Sequence, residues 1–454
     1  MKKCISILLA MSMAVVLLVG CAGNQGAAAP PVEADVADLA SDVADPPPVD
    51  DPADDLPPAD DPSEDVEQVV IRFSMWDTVD ETVNFIQAFH DANPDIRVEL
   101  VNIPEDYSVA INTMVLGGTA PDVILAWEVD MPRFAQSGAI IPLDDRVAAS
   151  DLVEMDDFIA AVDALTEVTA GLYGIPWVYA GHFLYYNIDM FDAAGIDHPT
   201  DDWTWDDMAQ AAQALTIRDG GNVTQWGIDA IDFPGIWYSM IGSAGDEIVD
   251  SNMNLVLGNG LRRALEFQYR LTNEYEVSPL PDAAGAVTDL FQAERAAMTR
   301  QGNWFVAGYY DAPFNWDIVP LPRDPQGERF TNLHTGFYTI NSASPHQEEA
   351  WRFIEFKMSH EGQTLLSEFS ANPSAIMSIA AEGSHQVQGI NGPSNWGAFD
   401  YFANEGRFTY VLLNSTVTGN LVTQFDSVLL GLTSIDNVID VEVPRAISEL
   451  EALR

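Results

Sequence analysis

Beyond Cys21 the chain contains no cysteine, and this absence limits the chemistry available to its folded part. The two cysteines of the chain, Cys4 and Cys21, both lie close to the N-terminus. A disulfide framework, a catalytic thiol and a cysteine metal site are therefore excluded from the rest of the sequence.

Basic residues are also scarce. The 454 residues include 19 Lys and Arg against 70 Asp and Glu, a net charge of -51, and lysine occurs only at Lys2, Lys3 and Lys357. An acidic surface repels nucleic acid and anionic lipid, so neither is expected as a partner. Strong like-sign charge is also used by halophilic proteins, so a salt-rich habitat is a hypothesis that salt-dependent stability would test.

Motifs of catalysis and metal binding are missing as well. The sequence has no Gly-x-Ser-x-Gly, no His-Glu-x-x-His and no Gly-rich phosphate loop, and its seven histidines lack metal-ligand spacing. We expect no metal, no cofactor and no enzymatic activity. A secreted glycoside hydrolase remains the alternative from another class, because a chance pair of carboxylates is invisible in sequence.

The N-terminus reads as an export signal. Lys2 and Lys3 precede an apolar run that ends in Leu-Val-Gly-Cys21, which is too short for a membrane span. Residues 1–20 are predicted to be a lipoprotein signal peptide, because this ending resembles a bacterial lipobox with Cys21 as the lipidated residue. A secreted protein with a chance cysteine is the alternative. Residues 21–68 follow as an acidic Pro/Ala/Asp segment without Lys, Arg or aromatic residues, which predicts a disordered tether.

From Val69 onward the pattern is that of an α/β protein. Strands are predicted over Val69–Met75, Ile96–Ile103 and 121–127, with a helix after the first strand, and no later apolar run is long enough to span a bilayer. Further helices are predicted to begin near Thr204, with Asp207 in a capping box, and at Pro345. Such alternation favours a largely parallel sheet, whose ligands bind beyond the carboxyl ends of the strands.

Ordered motifs then point to one family. The chain resembles the bacterial extracellular solute-binding proteins of family 1, the substrate receptors of ABC importers, chiefly for sugars. The matching segments are Phe89–Val98, Leu116–Val123, Ala135–Asp144, Tyr173–Pro176, Tyr185–Gly195, Thr204–Asp207 and Phe291–Trp304. Glu294 departs from the pattern, because the family usually has Gly at this position.

The resemblance implies a two-lobed periplasmic-binding-protein fold of type II. Each lobe is expected to be a mostly parallel sheet flanked by helices, with the ligand in the cleft between the lobes. Family topology places lobe 1 at 69–178 plus 300–339, and lobe 2 at 179–299 plus 340–454. Closure of the lobes about a hinge would trap the ligand.

Aromatic side chains paired with carboxylates mark the candidate ligand site. Sugar rings present apolar faces and a rim of hydroxyls, so their sites combine aromatic platforms with polar groups. Trp304 ranks first, because the family commonly places a stacking aromatic there. The candidates are Trp76, Asp77, Asp80, Trp127, Glu128, Asp130, Trp177, Tyr179, Asp232, Phe233, Trp237 and Trp304. The competing interpretation assigns most of these aromatics to the core.

These observations predict a monomeric extracytoplasmic receptor, anchored to the membrane only through lipid on Cys21. It would capture a sugar or oligosaccharide and deliver it to the permease of an ABC importer. A polyamine or other cationic solute is the alternative ligand, since aromatic boxes and carboxylates also suit cations. An anionic ligand is disfavoured because few Arg or Lys occur in the segments predicted to line the cleft.

Overall fold

A computed structural model describes residues 68–453, with gaps at 77–79, 105–106, 153–154, 160, 177, 251, 282–288, 384, 388 and 410–412. The predicted signal peptide, Cys21 and the tether lie outside the described residues. So do two candidate ligand residues, Asp77 and Trp177.

The described residues form a mixed α/β structure. The strands are Val69–Met75 (β1), Ile96–Asn102 (β2), Val123–Trp127 (β3), Ile175–Pro176 (β4), His182–Asn187 (β5), Ile217–Asp219 (β6), Asn222–Gln225 (β7), Ile248–Val249 (β8), Leu255–Val256 (β9), Met298–Gly302 (β10), Trp316–Pro320 (β11), Thr331–Asn332 (β12), Gly336–Ile340 (β13) and Gly406–Arg407 (β14). The α-helices are Asp80–Ala92 (α1), Tyr107–Leu116 (α2), Met131–Gln136 (α3), Asp144–Ala149 (α4), Ala161–Thr169 (α5), Ile188–Ala194 (α6), Trp205–Leu215 (α7), Pro234–Ser243 (α8), Asn259–Tyr269 (α9), Gln347–Met358 (α10), His360–Ser370 (α11), Met377–Ala380 (α12), Asp400–Glu405 (α13), Ser415–Leu429 (α14), Ile435–Asn437 (α15) and Val443–Ala452 (α16).

The larger sheet has the order β2-β1-β3-β13-β4. β1 pairs in parallel with β2 and β3, whereas β13 runs antiparallel to both β3 and β4. The predicted α/β fold class is thus confirmed, with a parallel half at β2-β1-β3. The carboxyl ends of β1 and β3 lie side by side, which brings Trp76 and Trp127 to one edge of the sheet.

The smaller sheet, β10-β5-β11, differs from the predicted parallel arrangement, because both of its strand pairs are antiparallel. All six residues of β5 are buried. The reason is that the sheet separates two hydrophobic cores. Phe183 and Tyr185 belong to the first core, whereas Leu184 and Tyr186 belong to the second, as the period-2 alternation of a strand requires.

The first core surrounds the larger sheet, and the second is built by α7, α8, α9, α14 and α16 on the other face of β5. The predicted lobe 2 includes 340–454, but α10 and the segment that follows it pack in the first core. Phe353 of α10 packs against Phe73 of β1, with ring centroids 5.3 Å apart, and Phe402 of α13 also lies in the first core. Side chains of the second core return only from Leu413 onward.

Helix starts agree with sequence in one case and differ in another. At α7 the Thr204 and Asp207 side chains form the predicted capping box. α10 begins at Gln347 rather than Pro345, because His346 occupies the N-cap position.

Candidate functional site

A cavity of about 530 Å³ lies between the two cores, and we call it the aromatic chamber. Residues after β1, at the end of β3 and before β13 supply one wall, and residues of the second core supply the other. The lining residues are Trp76, Trp127, Glu128, Val129, Val178, Ala180, Phe233, Trp304, His334, Thr335, Gly336, Asn372, Leu413, Ser415 and Thr418. The cavity thus lies beyond the carboxyl ends of β1 and β3, where open α/β sheets bind ligands.

Two tryptophans form a stacked pair in the wall of this chamber. The rings of Trp76 and Trp127 lie 4.5 Å apart at an interplanar angle of 23°. Tyr107 supports Trp76 edge-on at 6.2 Å, and its hydroxyl donates to the Leu125 carbonyl over 2.7 Å. The platform is therefore rigid and apolar, as a surface for the flat face of a ligand has to be.

A second aromatic group faces the same space. Trp304 packs edge-on against Phe233 at 5.3 Å and against His334 at 5.9 Å. Trp304 is 36% exposed, in contrast to the buried aromatics of both cores. Its ring lies directly over Gly302, where an added Cβ would stand only 2.3 Å from ring carbons. Gly302 therefore permits this ring position.

The polar part of the wall is organised by Glu128 and His334. Asn332 donates its amide Nδ2 to His334 Nε2 over 3.1 Å, so His334 carries its proton on Nδ1 and donates it to Glu128 Oε1 over 3.0 Å. The second carboxylate oxygen, Glu128 Oε2, accepts from the Thr335 backbone over 3.2 Å. These bonds fix the orientation of the Glu128 side chain, and the residue is only 4% exposed.

A neutral histidine underlies this group. His182 is fully buried, and its Nδ1 lies 3.0 Å from the Ser239 hydroxyl. Burial, and to a lesser extent the neighbouring His334, holds the pKa of His182 well below its usual range. His182 is therefore uncharged near neutral pH.

Asn372 adds an amide to the wall. Asn303 donates Nδ2 to Asn372 Oδ1 over 2.7 Å, and the Gly181 backbone donates to Asn303 Oδ1 over 3.0 Å. Asn303 is completely buried between β10 and the chain entering β5. The amide of Asn372 is thus held in place by the strands that separate the two cores.

Five of the candidate residues line the aromatic chamber. They are Trp76, Trp127, Glu128, Phe233 and Trp304. Asp130 lines a smaller neighbouring cavity instead. Asp80 begins α1, but its side chain is not among those that the structure describes.

Three other candidates are placed away from the chamber. Trp237 is 1% exposed and packs edge-on against Phe425 at 5.5 Å, so it is a residue of the second core. Tyr179 is 3% exposed in the first core. Asp232 is exposed, and its Oδ2 accepts from Gln301 Nε2 over 2.8 Å. The interpretation as core residues therefore fits Trp237 and Tyr179, whereas Asp232 is a surface residue.

Sequence reasoning missed several lining residues. His334, Thr335 and Gly336 directly precede or begin β13, which enters the sheet antiparallel and therefore starts where β3 ends. Asn372, Ser415 and Thr418 lie beyond the stretch that carries the family motifs. The one local pattern that could have indicated these residues is the polar pair Asn332 and His334 before a short apolar strand. Such a pair is also common in surface turns, so it does not by itself predict a binding site.

The charge of the chamber is distinctive. Among the lining residues that the structure describes, Glu128 alone is acidic, and none is Lys or Arg. Within the part of the chain that the structure describes, no group of three or more His, Cys, Asp and Glu is arranged to hold a metal ion. None of the described helices has the length and apolarity to cross a membrane.

The chain belongs to the bacterial extracellular solute-binding protein family, whose model matches residues 76–364. It is 24% identical over 293 residues to the arabinooligosaccharide-binding protein of Halalkalibacterium halodurans, a match covering 61% of this chain and 64% of that protein. It is 23% identical over 379 residues to the lactose-binding protein of Rhizobium radiobacter, covering 79% and 87%.

Solved structures share the fold. An ABC substrate-binding protein from Listeria monocytogenes, solved in complex with cycloalternan, has a TM-score of 0.73 at 20% identity, covering 85% of this chain and 99% of that one. The architecture is that of type II periplasmic sugar-binding proteins, as the sequence predicted. All three of these proteins are named as binding proteins.

Proposed function

We propose that this protein is the substrate receptor of an ABC importer and captures a sugar or oligosaccharide in the aromatic chamber. The observation that carries the proposal is the pairing of two aromatic groups, Trp76–Trp127 and Trp304–Phe233, around a small set of fixed polar groups. Aromatic faces match the apolar C–H faces of a sugar ring, and Glu128, His334 and Asn372 match its hydroxyls. Relatives named for arabinooligosaccharide and lactose binding support the same ligand class.

The charge balance favours a neutral ligand. An anionic ligand would meet Glu128 without a compensating Lys or Arg among the described lining residues. A polyamine would meet a single carboxylate, whose two oxygens already accept from His334 and Thr335. This arrangement makes a polyamine less favourable than a neutral sugar. A polyamine is nevertheless the second candidate, because aromatic walls and the Glu128 side chain can also bind a cation.

The lining residues do not support a glycosidase. Hydrolysis by either common mechanism uses two carboxylates across the scissile bond, and Glu128 is the single acidic residue among the described residues that line the chamber. We propose that the protein releases its ligand unchanged. Turnover of a glycoside by the purified chain would contradict this.

The first test is a thermal-shift and tryptophan-fluorescence screen of the purified full-length chain. The panel contains arabinose, arabinotriose, lactose, maltose, maltotriose, mannobiose, putrescine and spermidine. A ligand at 100 times its Kd should stabilise the protein by about 2.7 kcal/mol, a shift of a few degrees. A saccharide response supports the proposal, a polyamine response replaces the ligand class, and no response to any compound contradicts both.

Trp304→Ala should lower the affinity for the saccharide that binds by at least roughly tenfold, because a central aromatic contact is lost. The matched control is Trp396→Ala, which removes a half-buried tryptophan that packs on Phe399 and does not line the chamber. Equal losses in both variants would contradict a direct role of Trp304.

We further propose that Cys21 is lipidated and holds the receptor at the outer face of the membrane, where it meets its permease as a monomer. The lipobox-like Leu18–Cys21 and the extracellular character of the family support this. Cys21→Ser should move the protein from the membrane fraction of the native host to the soluble fraction. Continued membrane association of this variant would contradict the anchor.

A further inference from the structure

Asn303 is a fully buried asparagine that directly precedes Trp304, and its amide has a defined orientation. The Gly181 backbone N–H donates to Asn303 Oδ1 over 3.0 Å. On its other side, Asn303 Nδ2 donates to the Tyr179 carbonyl over 3.5 Å. A backbone N–H can only donate and a backbone carbonyl can only accept, so these two contacts fix which end of the amide is the oxygen.

The orientation of Asn303 determines that of Asn372. Asn303 Nδ2 also donates to Asn372 Oδ1 over 2.7 Å, so this oxygen faces Asn303 and the Nδ2 group of Asn372 is directed away from it. Asn372 lines the aromatic chamber and is 8% exposed. An amide NH2 group carries two donors, whereas its oxygen only accepts. The Asn303 side chain therefore decides which of these two chemistries Asn372 directs away from β10.

The backbone at Asn372 is held in place as well. Ala371 ends α11 in the left-handed conformation, with a φ of 54°, and so turns the chain at this point. One residue beyond Asn372, the Pro373 carbonyl accepts from the Tyr179 backbone over 3.3 Å. With its backbone fixed, the Asn372 amide has two orientations that differ by a flip, and Asn303 selects one of them.

Glu128 supplies the opposite polarity to the chamber. Its two oxygens accept from His334 Nδ1 and from the Thr335 backbone, and each carboxylate oxygen has a second lone pair. Glu128 is thus an acceptor, whereas Asn372 is oriented as a donor. A sugar hydroxyl both donates and accepts, but a protonated amine has no lone pair with which to accept from an amide.

We propose that Asn303 is a positioning residue that sets the hydrogen-bond polarity of the ligand site. By holding Asn372 Oδ1, it makes Asn372 present Nδ2 to an oxygen of the ligand. The site thereby selects a ligand that accepts a hydrogen bond at this position, as a sugar oxygen does and an ammonium group does not. This inference rests on the proposed function and adds the hydrogen-bond character of the ligand.

The polarity is tested with two substitutions of Asn372. Asn372→Asp keeps an oxygen for Asn303 Nδ2 but replaces the donor toward the ligand by an acceptor, whereas Asn372→Ala removes both groups. Isothermal titration calorimetry of the full-length chain at pH 8, with arabinotriose, lactose and maltotriose as probes, measures the affinities. Asn372→Asp should lower them by roughly tenfold or more, and Asn372→Ala by roughly 3- to 10-fold. Wild-type affinity in Asn372→Asp would overturn the donor assignment.

A double-mutant cycle tests the role of Asn303. Asn303→Ala should lower saccharide affinity by roughly 3- to 10-fold when Asn372 is present, and should have little further effect in combination with Asn372→Ala. Asn341→Ala is the matched control and should not change the affinity. Asn341 likewise donates Nδ2 to backbone carbonyls, those of Ala120 and Pro121 at 3.1 Å, but it does not line the chamber.

A second variant of the same residue changes less of the structure. Asn303→Asp retains the acceptor for the Gly181 N–H, but its carboxyl can donate to Asn372 Oδ1 only while it is protonated. Its affinity relative to wild type at the same pH should therefore fall as the pH is raised and the carboxyl ionises. A purely structural role of Asn303 would not produce this pH profile.

Two results separate the inference from the function on which it rests. Wild-type affinity in Asn303→Ala, or an equal loss with and without the Asn372 side chain, overturns the positioning role and leaves the receptor intact. The absence of wild-type binding to every saccharide probe overturns the receptor proposal, and the positioning role falls with it.

Discussion

At the scale of single residues, Gly302 controls where the Trp304 ring can lie. A Cβ at Gly302 would meet the far end of that ring at 2.3 Å, so the ring rather than the backbone would have to shift. The Gly302 backbone, with φ -72° and ψ 157°, is open to any residue. Glycine is therefore required at position 302 because the Trp304 ring occupies the space that a side chain would take, and not because of the backbone conformation.

We accordingly expect Gly302→Ala to weaken saccharide binding while the protein still folds. Displacement of the Trp304 ring should cost several-fold in affinity by calorimetry, with a small change in Tm. Gly308→Ala is the control, because an added Cβ there meets nothing within 4 Å. Unchanged affinity in Gly302→Ala would show that the position of this ring is unimportant for binding.

His385 makes stability depend on pH. It is 4% exposed, and its ring packs on Trp396 and Phe399 with centroids 5.8 and 5.2 Å away. Burial lowers the pKa of His385 to about 4, below the ordinary value of 6.5 that the unfolded chain retains. Below pH 6.5 His385 is protonated in the unfolded chain but remains neutral in the folded protein. The free energy of unfolding therefore decreases as the pH is lowered from 6.5 to about 4.

His385→Phe removes this proton uptake and keeps an aromatic ring in the cluster. The stability of the variant relative to wild type should increase by about 2 kcal/mol between pH 8 and pH 5, at about 1.4 kcal/mol for each pH unit below 6.5. Urea unfolding at the two pH values measures the difference. A difference that is the same at both pH values would contradict burial of a neutral imidazole.

At the scale of elements, the turn before β10 carries backbone strain. Glu294 stands where the family usually has Gly, and it has a φ of 56°, in the left-handed region that favours glycine. The turn is closed by Arg295, whose backbone donates to the Leu290 carbonyl over 2.7 Å. At this departure from the family pattern, Glu294 is thus an exposed residue with an unfavourable backbone conformation.

Glu294→Gly should therefore raise the stability of the protein by roughly 0.5–1 kcal/mol, since the relief of strain exceeds the added entropy of the unfolded chain. Thermal unfolding measures the change. Glu294→Ala removes the same side-chain charge and keeps the strain, so it should not reproduce the gain. An equal gain in both variants would assign the effect to charge.

β5 links the two cores, because successive side chains point to opposite faces of the β10-β5-β11 sheet. Phe183→Ala leaves a cavity in the first core, and Leu184→Ala leaves one in the second. Each should lower the free energy of unfolding by about 2–5 kcal/mol, within a single transition. Ile217→Ala on β6, where the residue is 53% exposed, should change it by less than about 0.5 kcal/mol. Two separate transitions, each sensitive to one variant, would contradict a shared sheet.

At the scale of the whole molecule, negative charge dominates the surface. The net charge is -51, and Lys357, the single lysine of the described residues, is fully buried with its Nζ 4.1 Å from the Tyr338 ring centroid. Arginine therefore supplies the positive side chains of the described surface, apart from any protonated histidine. Repulsion among so many carboxylates opposes the compact state.

We expect the Tm to rise by several degrees as NaCl increases from 0.1 to 1 M, because the Debye length falls from about 10 to about 3 Å. KCl at the same concentrations should give the same rise if screening is the cause. A Tm that is indifferent to salt would contradict both the repulsion and the hypothesis of a salt-rich habitat.

Local patterns carried the prediction of the elements. The strands predicted over Val69–Met75 and 121–127, and the capping box at Thr204, are decided by neighbours in sequence, and the structure has them at Val69–Met75, Val123–Trp127 and Thr204. The motif order predicted the family, and the strand ends predicted Trp76, Trp127 and Glu128 in the wall of the cavity. Trp237 could not be separated from these, because its burial depends on Phe425, which is far away in the chain.

The sequence by itself determined the acidity, the α/β class, the family and most aromatic residues of the chamber, because these follow from composition, periodicity and local motifs. Only the tertiary structure decided that α10 belongs to the first core, that β10-β5-β11 is an antiparallel sheet between the cores, and that His334 and Asn372 join the wall. Each of these depends on contacts between distant parts of the chain. Successive side chains of a strand point to opposite faces of its sheet. Packing against distant parts of the chain decides which of these faces is covered by a core and which lines the cleft.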